Sequence, residues 1–223
     1  MLQQIKQHIQ RIKASGATYV DTRWYPFEET NSLMMWNGNL KNASASRESG
    51  LGVRVLYKGA WGFSASSDLS NLTELYDKAF NNAKVAAERV TFPVRLAEKD
   101  SLQTKFESPC RINPFEVSLA EKVSFLKEMD EKLNQPGVTQ RITTLNFMRK
   151  QIIFVDSEGP EIEKLITEVF SGLEVDGMDA HGDMYERKFY PARQGATRGW
   201  ETIDRQLFSE NADRIIRELN QTL

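Results

Sequence analysis

Apolar residues recur at helical spacing from the first residues of the chain. Leu2, Ile5, Ile9 and Ile12 fall on one face and Gly16 follows, which predicts a helix over 2–14. "ATYVDTRWYPF" then alternates in polarity and is rich in β-forming residues, the pattern of a strand. "SLMMWNGNLKNASAS" reads as two strands around Asn37-Gly38, a dipeptide that supplies the positive φ of a type I′ turn. "GLGVRVLYKGAWGFSAS" repeats the device around Lys58-Gly59, with Val53, Val55 and Tyr57 on one face and Arg54 and Leu56 on the other. Asn71 with Glu74 three residues on forms a capping box. It opens a helix that carries Leu72, Leu75, Tyr76, Ala79, Phe80, Ala83 and Ala87.

Residues 91–115 contain Pro93, Pro109 and Pro114 and little periodicity, the mark of an extended linker. The plan then starts over. Ser118 and Glu121 form a second capping box, Leu119, Val123, Leu126, Met129 and Leu133 form the expected buried stripe, and Pro136-Gly137 ends the helix. Residues 138–177 give three strands with turns near Arg149-Lys150 and Glu158-Gly159, and "GDMYERKFYPAR" a fourth. A last helix presents Ile203, Leu207, Ala212, Ile215, Ile216 and Leu219. The expected fold is α+β: two helix–antiparallel-sheet–helix sandwich units arranged as an architectural repeat. Their expected boundaries are residues 1–92 and 116–223, with 93–115 as the linker.

Charge changes this picture only by exclusion. Lys and Arg number 29 against 31 acids, without local basic clusters, so nucleic acid and anionic membrane surfaces are not expected partners. The single cysteine, Cys110, allows no internal disulfide and fits a reducing compartment. "MLQQIKQHIQRIK" lacks a continuous apolar core, so neither a signal peptide nor a membrane span is expected there, and the chain reads as cytoplasmic.

Candidate chemistry is sparse. His8 and His181 are the only histidines, and no metal-ligand spacing accompanies them, so the chain alone is expected to bind no zinc. "EVDGMDAHGDMYE" gathers Asp176, Asp179, His181, Asp183 and Glu186, which reads either as a hard-cation loop or as a polar connection between strands. Ser124 and Lys127 match Ser-x-x-Lys without a supporting motif, and Cys110 lacks an evident base. "SGLGVRV" has neither a third glycine nor the Lys-Ser/Thr of a phosphate loop and precedes a strand. Arg54 either faces solvent or clamps a carboxylate in a cleft. Trp61 and Phe63 read as core aromatics or as a stacking platform.

"GLGVRVLYKGAWGFSASSDLS" resembles the most characteristic segment of the TldD/PmbA family, also called modulator of DNA gyrase or peptide maturation proteins. "GATYVDTRWYP", "SLMMWNGNLKNAS", "EKVSFLKEMDEKL", "FVDSEGPEIEK" and "GWETIDRQLFSENADRIIREL" are similar to further family segments, in the same order. The specificity lies mainly in residues 50–68 and 155–159. The resemblance implies a metallopeptidase scaffold concerned with proteolysis of unfolded peptides and working as a dimer of related subunits. It also implies a zinc-binding His-Glu-x-x-x-His motif following the helix that corresponds to 201–219. No position of this chain matches that motif, so no catalytic or metal residue carries over, and zinc is implied only for a C-terminal part.

The expected function is therefore the non-catalytic N-terminal portion of such a peptidase, contributing to a substrate cleft and to dimer assembly. Gly50, Gly52, Arg54 and Trp61 are the candidate substrate-binding residues. The expected partners are a C-terminal zinc-bearing family domain or a paralogous subunit, and a peptide substrate. The alternatives are a stand-alone regulatory module for a full-length paralogue, or a metal-dependent hydrolase built on the Asp176–Glu186 cluster.

Overall fold

In the computed structural model, which describes residues 1–98, 100–191 and 195–223, the elements run in the order α1 (Leu2–Ala14), β1 (Tyr19–Trp36), β2 (Asn39–Tyr57), β3 (Ala60–Ser66), α2 (Leu72–Ala87), β4 (Gln103–Glu107), α3 (Leu119–Leu133), β5 (Gln140–Asp156), β6 (Glu161–Met178), β7 (Met184–Phe189) and α4 (Arg205–Asn220). The strands join in the order β3-β2-β1-β5-β6-β4, with β7 also paired to β6. The class is α+β, as the alternation of strand and helix patterns predicts.

Both hairpin turns carry the expected backbone. Asn37 and Gly38 have φ of 46° and 79°, and Lys58 and Gly59 have 47° and 80°, the two positive values of a type I′ turn. Both predicted N-caps form: the Asn71 side chain accepts from Glu74 N, and Ser118 Oγ accepts from Glu121 N, each at 3.1 Å.

The strands are longer and fewer than the sequence pattern predicts. β1 unites two expected strands, β2 does the same, and β5 runs straight through Arg149-Lys150, where a turn was expected. A charged pair without glycine or proline offers no turn geometry, so the pleat simply continues. The expected linker contains β4, which pairs with β6 in parallel from Gln103↔Glu161 to Glu107↔Leu165. The expected last strand is β7; Ala192 and Arg193, at its expected end, lie outside the described residues.

Grouped by contacts, the chain forms two compact units that interleave in sequence. One comprises Met1–Glu28, Arg47–Glu107 and Lys150–Leu165; the other comprises Glu29–Ser46, Ser108–Arg149 and Ile166–Leu223. The first unit is built around Ile5, Ile9 and Ile12 of α1, Tyr76, Ala79 and Ala83 of α2, and Val20, Val53, Val55, Ile153 and Val155 of its strands. Gly62 lets α2 press directly onto β3, because a Cβ there would lie 2.1 Å from Ala79 O and 2.3 Å from Ala83 N. The second unit packs Phe125, Leu126, Met129 and Leu133 of α3 and Phe208, Ala212, Ile215 and Leu219 of α4 onto Leu33, Leu145, Phe147 and Leu173.

Two helical stripes differ from expectation. In α3 the buried face takes Lys122 and Phe125, while Leu119 is exposed. In α4 Phe208 is buried and Leu207 exposed. In both helices a large aromatic, Phe125 in α3 and Phe208 in α4, takes a core position and fixes which face turns inward.

Candidate functional site

Strand alternation sorts the first unit's residues onto two faces. Leu51, Val53 and Val55 enter the core under α1 and α2, so Gly50, Gly52 and Arg54 lie on the opposite face. The β2–β3 register, with Gly52↔Ala65 and Arg54↔Phe63, adds Phe63 and Ala65 to that face, and Trp61 follows by alternation. On β1 Val20 is in the core and Thr22 bonds Tyr76 of α2 at 2.6 Å. Tyr19, Asp21, Arg23 and Tyr25 therefore share the face of Arg54.

At its centre stands Asp21, with no exposed surface. Arg54 donates from Nε to Oδ1 and Oδ2 at 3.1 and 3.0 Å and from Nη2 to Oδ2 at 2.7 Å. Arg23 adds one long contact, Nη1 to Oδ1 at 3.4 Å. The Arg54 guanidinium lies 5.0 Å from the centroid of the Trp61 ring, and Tyr19 meets that ring edge-on at 5.9 Å. Tyr19 donates its hydroxyl to Asp156 Oδ2 at 3.0 Å. Ser157 closes the joint to β1: its backbone N donates to Val20 O at 2.9 Å, and its Oγ accepts from Val20 N at 3.1 Å. The two segments that carry the family resemblance, 50–68 and 155–159, thus meet through Tyr19.

This cluster holds its protons tightly. The hydrogen bonds to Asp21 raise Arg54 above the usual guanidinium range. Burial, then the charge of Asp21 and the bond to Asp156, pushes the Tyr19 hydroxyl far above the ordinary phenol value. Neither group takes or gives a proton near neutral pH. Through Arg54 and Tyr19 the arrangement fixes shape and charge.

Gly50 and Gly52 lie beside the cluster in an open depression of about 530 Å³, lined also by Arg23, Tyr25, Leu51, Phe63, Ala65, Ser66 and Ser67. Arg54 and Trp61 stand outside this lining. The four candidate residues therefore separate into two neighbouring features: a glycine floor, and an arginine stacked on tryptophan whose charge is already matched by Asp21. Sequence reasoning missed Asp21, Arg23 and Tyr19. Their spacing at alternate positions of "YVDTRWY" places them on one face, and that was the available signal.

Residues of the acidic loop hold one another. Asp179 Oδ1 accepts from His181 N and Asp183 N at 2.8 and 3.0 Å, and its other oxygen takes the Tyr185 hydroxyl at 3.4 Å. Asp176 accepts from Gln140 at 2.6 Å. Among the described residues no group of three or more His, Cys, Asp or Glu side chains converges so that it could hold a metal ion. His8 lies flat on Tyr76, with ring centroids 5.1 Å apart, and does not face the cluster. The described residues thus do not compose a zinc site, and no step through zinc is derived from them. No helix among the described residues is long and apolar enough to cross a membrane.

Residues 27–83 match the model of PmbA/TldA metallopeptidase domain 1, and residues 112–222 match that of the PmbA/TldA metallopeptidase central domain. The chain belongs to the PmbA/TldD metallopeptidase family. It is 28% identical over 151 residues to a metalloprotease of Methanocaldococcus jannaschii and 27% identical over 181 residues to one of Methanothermobacter thermautotrophicus. These matches cover 67% and 81% of this chain but only 33% and 38% of the relatives, so it spans little more than a third of the curated proteins it resembles. Among solved structures, a candidate modulator of DNA gyrase from Thermotoga maritima superposes with a TM-score of 0.74 at 18% identity, over 96% of this chain and 47% of that one. TldE from Thermococcus kodakarensis gives 0.64 at 15% identity, over 97% of this chain and 47% of that one. These likenesses establish that the fold is shared with PmbA/TldD proteins.

Proposed function

We propose that this chain is the non-catalytic N-terminal portion of a PmbA/TldD metallopeptidase, and that it presents unfolded peptide to a zinc centre held elsewhere. The observation that carries this reading is an unequal hairpin. β2 begins at Asn39, but β3 pairs with it only from Leu51↔Ser66 to Tyr57↔Ala60. The stretch from Asn39 to Gly50 thus carries no β3 partner and is exposed along almost its whole length. An extended peptide can add there through main-chain hydrogen bonds, a mode that requires an unfolded ligand and tolerates many sequences. Gly50 and Gly52 keep the neighbouring surface low, and the Arg54–Trp61 stack stiffens the strand beside it.

In this reading the zinc and its ligands come from a C-terminal family domain or from a paralogous subunit in a dimer, and the assembly works in the cytoplasm. The test is complementation: the chain is mixed with a zinc-bearing family fragment, and cleavage of a denatured protein is followed. Binding together with a gain of cleavage supports the reading. Binding with inhibition of a full-length relative favours a regulatory module instead, and neither binding nor cleavage sinks both.

A further inference from the structure

The depression beside Gly50 and Gly52 combines features that the strand edge alone does not need. Phe63 leaves more than half of its surface, 57%, open to solvent, although it sits mid-strand opposite Arg54. Tyr25 and Phe63 supply aromatic surface, and the two glycines leave the floor without side chains. A Cβ on Gly52 would rest 3.4 Å from the Phe63 ring, so even a methyl group would occupy space that a ligand could use. No carboxylate lines the depression, whereas one guanidinium, Arg23, does.

The charge on that guanidinium is not spent. Asp21 is fully buried and already satisfied by three contacts from Arg54, so Arg23 holds it only through the 3.4 Å contact. Arg23 is 45% exposed and rests over the Phe154 ring at 5.2 Å, which leaves its fork directed by stacking and not by a carboxylate of its own. Of the two arginines that face Asp21, Arg54 takes the three shorter contacts and Arg23 the one long one. An arginine fork held over an aromatic ring is suited to receive a carboxylate bidentately.

We infer that this depression is a side-chain subsite for extended peptides that carry a large apolar residue next to a carboxylate. The apolar side chain lies on the glycine floor against Phe63, and the carboxylate pairs with Arg23. The inference rests on the peptide-binding reading above and gives it a preference, since strand addition alone is blind to side chains. The carboxylate has two possible sources, the side chain of an acidic residue or the free end of a peptide.

Fluorescein-labelled octapeptides, titrated against the chain at low salt and followed by anisotropy, separate these cases. The core dipeptides are Phe-Asp, Phe-Asn and Ala-Asp, all amidated, beside a peptide that ends in Phe with its carboxylate free. Phe-Asp is expected to bind about fivefold more tightly than Phe-Asn, an advantage that added salt screens away. The free-ended peptide reports whether a terminal carboxylate serves as well as a side chain. Arg23→Gln is expected to abolish the Asp-over-Asn preference and keep the Phe-over-Ala one, and Arg23→Lys to restore the first in part. Gly52→Ala is expected to weaken the Phe-over-Ala preference alone. Circular dichroism confirms that each variant is folded. Peptides that bind with no Asp-over-Asn preference, or with one that survives Arg23→Gln, overturn the subsite and leave strand addition standing. If no peptide binds, the peptide-binding reading itself falls.

Discussion

Arg54 grips Asp21 with two nitrogens, Nε and Nη2, yet only one partner of this ion pair is buried: the Asp21 side chain is wholly inaccessible while that of Arg54 is 41% exposed. The asymmetry sets what each deletion costs.

Without Arg54 the buried carboxylate keeps only the long Arg23 contact; without Asp21 the arginine can turn to water. Arg54→Met is therefore expected to cost about 3 kcal/mol, close to the loss for breaking a buried pair. Asp21→Asn is expected to cost about 1 kcal/mol, the scale of one net hydrogen bond. Urea unfolding of both variants gives the order, and a larger loss for Asp21→Asn would contradict the account.

Gly62 and Gly52 sit in the same hairpin but face different neighbours. A methyl on Gly62 would overlap the α2 backbone, whereas one on Gly52 meets only the movable Phe63 ring. Gly62→Ala should cost 3 kcal/mol or more by driving α2 off β3, and Gly52→Ala should stay within about 1 kcal/mol. Thermal melts of the pair decide it; equal losses would mean that α2 does not ride on β3 as described.

Lys122 is buried on the inner face of α3, with Nζ 2.8 Å from Asn31 Oδ1 and 5.0 Å from the Phe147 centroid. Burial lowers its pKa from 10.5. The unfolded chain therefore binds this proton more tightly, so the charge costs stability at neutral pH, and the cost fades as pH rises toward the unfolded value. Lys122→Met should gain about 1 kcal/mol at pH 7 and progressively less toward pH 10. A loss at pH 7 would show that the ammonium is stabilised by its surroundings.

His8 gives the opposite end of the pH scale. Burial, then the charge of Arg11, lowers its pKa from 6.5, with Asp77 pulling the other way. Its buried Nδ1 has no hydrogen-bond partner. A proton that the unfolded state accepts more readily destabilises the fold as pH falls below 6.5. His8→Phe, which keeps a ring against Tyr76, should flatten the fall in melting temperature between pH 7 and 5. An unchanged slope would assign that fall to other groups.

How much of this was readable beforehand depended on the range of each interaction. Caps and type I′ turns are local, and Asn71, Ser118, Asn37-Gly38 and Lys58-Gly59 all behaved as their neighbours in sequence demanded. The α3 stripe was less legible, because helical spacing alone does not say whether Leu119 or Phe125 wins the core. Arg54 was visible as an arginine among valines, but its partner Asp21 lies 33 positions earlier and nothing local joins them. Gly50 and Gly52 stand out in the sequence only as glycines before a strand, and the space that a missing side chain leaves beside Phe63 depends on a partner strand. Arg23 drew no notice, since a charge at mid-strand is ordinary until a buried carboxylate proves to be already taken.

The interleaving of the two units bears on how the protein comes off the ribosome. The first unit needs Ile153 and Val155 in its core, and its third stretch runs to Leu165. Its α1 and α2 are therefore synthesised long before the strand that completes their core, and no early fragment can finish folding as a domain. Translation has to carry the chain through all of α3 and nearly all of β5 first, so a stall or premature stop within that span leaves a sticky half-sheet for chaperones and proteases to clear.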